Sequence, residues 1–392
     1  MSPERERRAS PALRQLWFLT GTRADFGKLK PLILAAEARP EVEVTVLATG
    51  MHLLERYGST VQEVRRLPSS IRVREFANQA EGAGMDAILA DTVTALGRLV
   101  AEGAPDLLVV HGDRVEALAG ASFGALRRIP VAHVEGGERS GTIDGILRHA
   151  ISKLSHLHLV ANDEAARRVE QLGEDPATIR VIGSPDIDVM LSEDLPTLDA
   201  VREAYEIAFD RYAVILFHGL TTEPPDAVGA TARALLAAVR GRGLPAVVIF
   251  PNNDPGSEAI IEVYAGLADD PGLRIFPSVR FEAFLTLLHG AEVIVGNSSA
   301  GIREAPLYGV PTVNIGTRQR DRFHHASITS CGPSLAEIDA ALEVALGQDR
   351  TPARDHFGRG DSAAQFAALL AEPATWDIDL DKRFLDLGPA TG

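Results

Sequence analysis

The 392-residue sequence predicts an α/β protein of two doubly wound domains that face each other across a cleft. Three observations carry this prediction. Short runs rich in Val, Ile and Leu alternate with helical patterns from end to end, which marks parallel strands buried on both faces. The alternation occurs twice, on either side of S-P-D-I-D-V-M-L-S-E-D-L-P (184–196), where prolines and acids break the pattern. The chain is also too long for one core, so two units of ordinary size are expected.

In the first half, strands are expected at 15–20, 42–48, 106–111, 129–134, 156–160 and 179–182, with helices at 26–38, 84–102, 114–127 and 145–154. In the second, strands are expected at 212–218, 245–250, 273–276, 291–295 and 311–315. Helices follow at 226–240, 257–267, 280–289 and 299–308. The division places one domain at 12–190, a second at 191–370 and a tail at 371–392. The first dozen residues read as a solvated tail.

Composition narrows the functions. A formal net charge of −15 sets the chain against a nucleic-acid backbone, so no nucleic-acid partner is expected. An anionic small molecule would need arginines and lysines gathered in one place. The single cysteine, Cys331, excludes a disulfide framework and a multi-cysteine metal site, and fits the cytoplasm. No apolar stretch reaches the roughly eighteen residues of a membrane span, and the N-terminus lacks the pattern of a secretion signal.

In open α/β sheets, ligands lie beyond the carboxyl ends of the strands, so the chemistry is sought there. The first strand runs into T-G-T-R-A-D-F-G-K-L-K (20–30), where Gly21 permits a sharp turn and a helix start offers N–H groups to an anion, beside Arg23 and Lys28. The strand at 106–111 ends in H-G-D-R, and Asp113 there fits either a helix cap or a site acid. The next ends in H-V-E-G-G-E-R-S-G-T-I-D-G-I-L-R-H-A (133–150). Here Glu135 follows the strand, Gly136 and Gly137 allow close approach to a ligand, and Asp144 opens a helix with Arg148 one turn on. Glu138 and Arg139 read as solvated.

The second half offers F-H-G-L-T-T-E (217–223), F-P-N-N-D-P-G-S (250–257) and G-N-S-S-A-G-I-R-E-A-P (296–306). The last is the strongest anion cradle, with Ser298 and Ser299 at an expected helix start and Glu304 placed either to meet ribose hydroxyls or as a plain helix carboxylate. His218 alone fits a structural histidine. An acidic cluster of Asp113, Glu135 and Asp144 facing a glycine–serine cradle points to chemistry on a sugar. Phosphoryl transfer would bring a P-loop or a kinase loop set, and neither is present. Carboxylates stabilise an oxocarbenium-like centre and move protons, as in glycosidases.

These motifs, with G-S-P-D-I-D and N-I-G-T-R-Q, run colinearly over about 16–370, and together they resemble the hydrolysing UDP-N-acetylglucosamine 2-epimerases of sialic and legionaminic acid biosynthesis. The resemblance implies two Rossmann-like domains in a GT-B-like arrangement, a UDP-sugar substrate, UDP as product, no metal or redox cofactor, and a homodimer or homotetramer. UDP would be eliminated to leave a 2-acetamidoglucal, and water would then add to release the 2-epimeric sugar. The substrate would be UDP-GlcNAc or UDP-2,4-diacetamido-2,4,6-trideoxyglucose.

By the resemblance, Asp113, Glu135, Asp144 and His218 match catalytic positions. Arg23, Lys28, Arg148, Asp188, Ser298, Ser299 and Glu304 match substrate- or UDP-binding positions. Crowding of the acids is expected to raise the pKa of at least one. Gly145 replaces a second acid, Gly219 replaces a proline, and 321–326 departs from the family's basic continuation; these changes are expected to reshape the sugar pocket. A non-hydrolysing epimerase, a GT-B glycosyltransferase and a non-catalytic nucleotide-sugar binder are the competing readings.

Overall fold

The computed structural model describes residues 13–79, 82–140, 143–220, 223–252, 254–320, 322–353 and 356–386. Gly141, Thr142, Thr221, Thr222, Asn253 and Asp321 of the quoted motifs lie outside the described residues, as do the N-terminal dozen and the last six.

Seven parallel strands form the first sheet: β1 (Arg14–Thr20), β2 (Val42–Ala48), β3 (Arg72–Glu75), β4 (Leu107–His111), β5 (Val131–Val134), β6 (Leu157–Val160) and β7 (Ile179–Val181), in the order β3-β2-β1-β4-β5-β6-β7. Six form the second: β8 (Ala213–Leu216), β9 (Ala246–Ile249), β10 (Leu273–Phe276), β11 (Val293–Gly296), β12 (Thr312–Ile315) and β13 (Ile328–Cys331), in the order β10-β9-β8-β11-β12-β13. In each sheet the strand order reverses once, between β1 and β4 and between β8 and β11. Those reversals open the crevices in which such folds bind ligands.

The unbroken apolar strands have a simple cause. Leu16 and Phe18 of β1 enter one core while Trp17 and Leu19 enter another on the opposite face. Leu107 and Val109 of β4 alternate with Leu108 and Val110 in the same way. Both faces are covered, so these strands read as near-continuous apolar runs.

Two edge strands escape the sequence pattern. The β3 segment R-V-R-E has no fully buried residue, and I-T-S-C at β13 is only half-buried. The expected helix at 299–308 is instead a 3₁₀ turn, Ser299–Gly301, followed by one helical turn, Glu304–Leu307. Thr312 packs where a Cβ on Gly301 would stand, and Pro306 falls in the helical turn, so the segment has little macrodipole for an anion.

The largest difference lies at the C-terminus. The sequence division places residues up to 370 in the second domain, but helix Ser362–Ala371 packs on the first. Phe366, Leu369 and Leu370 are buried there, with Phe366 edge-on to Phe18 at 6.1 Å. Its cap comes from a distance. Asp361 at its start makes no side-chain capping bond, and Asp188 accepts the N–H groups of Ser362 and Ala363 at 3.0 and 2.8 Å. The chain therefore crosses between domains twice, near 184–190 and near 356–362.

Three buried histidines tie strands to loops in neutral form. His133 on β5 bonds the Gly112 carbonyl at 2.8 Å through Nε2, and His52 bonds Thr20 and Thr60. His156 accepts the Val131 N–H at 3.2 Å. Burial, above all, pushes His133 down to about 3 and His52 and His156 to about 4. Because the unfolded chain binds the extra protons, their stabilisation is complete above about pH 6.5 and is lost as pH falls toward the folded values.

Two outcomes follow. Urea unfolding compared at about pH 7.5 and 5.5 will show a loss of about 1.4 kcal/mol for each of these histidines. Phe366→Ala will cost about 3–5 kcal/mol in the same assay at neutral pH, and a cost under about 1 kcal/mol would mean that the helix is not part of the first core.

Candidate active site

The two crevices face each other and form one cleft. The sequence-selected residues Arg23, Lys28, Asp113, Glu135, Asp144, Arg148, His218, Ser298, Ser299 and Glu304 all line it. They come from the carboxyl ends of β1, β4 and β5 on one side and of β8 and β11 on the other. Asp188 does not line it. As the distant cap of helix Ser362–Ala371 it binds backbone N–H groups, so its expected ligand role is corrected to a structural one.

Glu135 sits at the mouth of β5 in a left-handed backbone conformation, φ +61°, which is rare for a residue with a side chain and costs on the order of 1–3 kcal/mol. Its surroundings hold it there. Oε1 accepts from Arg303 Nη2 at 2.6 Å and from the Ser184 hydroxyl, and Oε2 lies 3.2 Å from His111 Nε2. Its carbonyl accepts from Arg148 Nη1 at 2.6 Å.

Asp113 is not a helix cap. The helix Val115–Arg127 begins after Arg114 without a side-chain cap, and Asp113 is gripped by Arg148. Arg318 reaches Asp144 at 3.0 Å from the other domain.

At two of the three acids, Asp113 and Glu135, the cations outweigh the crowding expected to raise a carboxyl pKa. Burial opposes ionisation of Asp113, but Arg148, then Arg322 and Arg318, outweigh it and hold the carboxyl down at about 2. Burial likewise opposes ionisation of Glu135, and Arg303, then Lys28, keep it well below the usual carboxylate range. Glu138, expected in solvent, is buried between Arg303 and Arg322, the latter at 2.9 Å. Arg139 is exposed, as expected.

His218 has Nδ1 accepting the Asn252 N–H at 3.1 Å, which leaves the ring proton on Nε2. Burial, followed by Arg318 and Arg114, pushes its pKa well below 6.5, so the ring is neutral. Lys28 is buried against Asp186 at 2.9 Å and Glu304 at 3.1 Å, while Glu304 Oε2 has no hydrogen-bond partner among the described residues.

The helix start after β1 offers less than expected. The N–H groups of Gly21 and Thr22 already bond Asp25, and that of Asp25 bonds Thr22 in a capping box. Positive charge in the cleft comes instead from side chains. Arg114, Arg303, Arg318 and Arg322, absent from the sequence selection, line it with Arg23, Lys28 and Arg148. The signal available was an arginine beside Glu304 in the mostly apolar A-G-I-R-E-A-P, with Arg318 and Arg322 just past β12.

Gly145 and Gly219 have steric explanations. A Cβ on Gly145 would stand 2.7 Å from the Ser140 carbonyl oxygen, and one on Gly219 would stand 2.2 Å from that of Pro255. Neither lines the cleft, so neither reshapes the sugar pocket directly. Among the described residues, no cluster of three or more His, Cys, Asp or Glu could hold a metal ion, and no helix is long and apolar enough to cross a membrane.

Two facing Rossmann-like domains with carboxylates on one wall and a serine–glycine turn on the other define a GT-B-like protein. The chain belongs to the UDP-N-acetylglucosamine 2-epimerase family, whose sequence model matches residues 34–371. It is 45% identical over 378 residues to the UDP-N-acetylglucosamine 2-epimerase of Neisseria meningitidis serogroup B, covering 96% of this chain and 100% of the relative. It is 30% identical over 361 residues to the UDP-N,N'-diacetylbacillosamine 2-epimerase (hydrolyzing) of Legionella pneumophila, covering 91% and 96%. The solved structure of the Methanocaldococcus jannaschii UDP-GlcNAc 2-epimerase, in complex with UDP-GlcNAc and UDP, matches with a TM-score of 0.77 at 21% identity, covering 91% of this chain and 99% of that one. At that identity the likeness speaks for the fold.

Gly145→Ala will lower stability by about 1–3 kcal/mol through the forced retreat of the Ser140 carbonyl, measured as a shift in the urea midpoint. An unchanged midpoint would show that the 135–140 loop yields freely.

Proposed function

We propose that the protein is a hydrolysing UDP-N-acetylglucosamine 2-epimerase, which eliminates UDP to a 2-acetamidoglucal and adds water to release ManNAc or its 2,4-diacetamido-2,4,6-trideoxy analogue. The observation that carries this reading is the convergence of Asp113, Glu135 and Asp144 on one cleft whose walls also present an excess of arginine and lysine. The Legionella relative, whose name includes the hydrolysing activity, supports it.

The geometry suits each stage. Arginines at the cleft balance the diphosphate before and after its bond to C1 breaks. Neutral His218 presents an Nε2–H donor to the leaving oxygen without adding charge. Glu304 Oε2, without a hydrogen-bond partner among the described residues, would accept from a ribose hydroxyl. The C2 hydrogen becomes acidic only as the C1–O bond opens, and carboxylates held ionised, such as Asp113 and Glu135, are bases ready to take it. For the same reason they are poor proton donors at neutral pH. Asp144 lies on a separate element, 3.0 Å from Arg318 of the second domain, and is the carboxylate we assign to the other face of C2.

Incubation with UDP-GlcNAc and with the diacetamido-trideoxy sugar in D₂O, followed by NMR, will yield free UDP and a manno-configured sugar with deuterium at C2. Asp113→Asn and Asp144→Asn will each lower kcat by about a hundredfold or more while UDP still binds. UDP-ManNAc without net UDP release would show a non-hydrolysing enzyme, and product without deuterium at C2 would end the epimerase reading.

A further inference from the structure

The guanidinium of Arg303 is fully buried, a costly place for a charge unless it is neutralised on every side. It leaves the turn after β11 in the second domain and enters the first. There Nη1 bonds Glu138, Nη2 bonds Glu135 Oε1 at 2.6 Å and the Ser184 hydroxyl, and Asp186 lies 3.7 Å away. Phe357 covers its face, with the ring centroid 4.9 Å from Cζ. One fork thus holds two carboxylates from a single loop, and it occupies the oxygen of Glu135 that His111 does not face.

We infer that Arg303 is a positioning residue for the reaction: by gripping Glu135 Oε1 from the opposite domain, it fixes the orientation and charge of the carboxylate that meets the sugar. The inference rests on the proposed epimerase reading. Arg303 does not touch the reacting atoms, and it acts through Glu135. Glu138 is its second anchor and also holds Arg322 at 2.9 Å, so a residue expected in solvent organises two cleft arginines.

The groups facing Glu135 define what its loss would do. Lys28 and His111 face it, with Asp186 and Glu138 as like charges and Arg148 on its carbonyl. Without Arg303, the carboxylates at 135 and 138 repel at close quarters, and the Glu135 carboxyl must titrate at higher pH. Lysine keeps the charge but not the planar fork, so it cannot hold both acids at once.

The test compares the full-length wild type with R303K and R303M. In R303K, kcat will fall by about a hundredfold while KM and the Kd for UDP stay within about threefold. The acid limb of kcat/KM will move up by about one pH unit, and further in R303M. Retention of wild-type kcat in R303K, or a parallel loss of kcat and UDP affinity, would reduce Arg303 to a structural tie and overturn the inference. If R303M does not fold, R303K decides alone. ¹³C NMR titration of glutamate-labelled protein, with Glu135 assigned by E135Q, separates the two readings. An upward shift of Glu135 in R303K sustains the positioning role even if the wild type turns over neither sugar, and an unmoved Glu135 ends it even if the wild type is an active epimerase.

Discussion

The fold brings the carboxyl ends of two parallel sheets face to face, so every charged loop at the seam must be neutralised by its neighbours. The protein does this in crossed pairs. Arg303 and Arg318 of the second half bind Glu135, Glu138 and Asp144 of the first, and Lys28 of the first binds Glu304 of the second. Ion pairs in such surroundings recover only part of the cost of leaving water. The apolar cores on both faces of each sheet must hold the domains in place independently, and the near-complete burial of β1, β4, β9 and β11 fits that demand. The seam sets how the domains meet, and the cores supply their stability.

The same pairing decides the chemistry available. Acids placed together without cations would share protons and one would become a neutral donor. Here Arg148 and Arg303 intervene, so Asp113 and Glu135 remain anionic in a chain whose formal charge is already −15. Arg23, Arg114, Arg318 and Arg322 add further positive charge along the same cleft.

Much of this was legible in the sequence, for identifiable reasons. Strands buried on both faces write themselves as unbroken apolar runs, and residues just past a strand end are confined to the ligand-binding edge. Asp113 and Glu135 are found on those grounds and Asp144 by the helix it opens, while a site role for His218 comes only from the family resemblance. What was missed depends on distant partners. R-V-R-E at β3 carries no apolar signal because an edge strand needs none. Helix Ser362–Ala371 looks like any amphipathic segment, and only three-dimensional packing returns it to the first domain. Asp188 was misplaced because an aspartate that caps a helix 174 residues away has the same local sequence as one that binds a ligand. Glu138 is read as a surface residue until two arginines arrive from more than 160 positions along the chain.

The crossings between domains explain why the seam is so well specified. Ser184 N–H donates to the Phe357 carbonyl at 2.7 Å, and Gly183 and Gly358, both with positive φ, approach so closely that a Cβ on either would strike the other's backbone near 3 Å. Asp188 then ties the first crossing to the helix that ends the second. The two crossings are lashed into one body, and Arg303 packs against it through Ser184 and Phe357. A rotation of the second domain that moved Arg303 would therefore have to shift this body or slide along it. The buried arginine and the paired glycines restrict the same movement, which keeps Glu135 in its strained conformation.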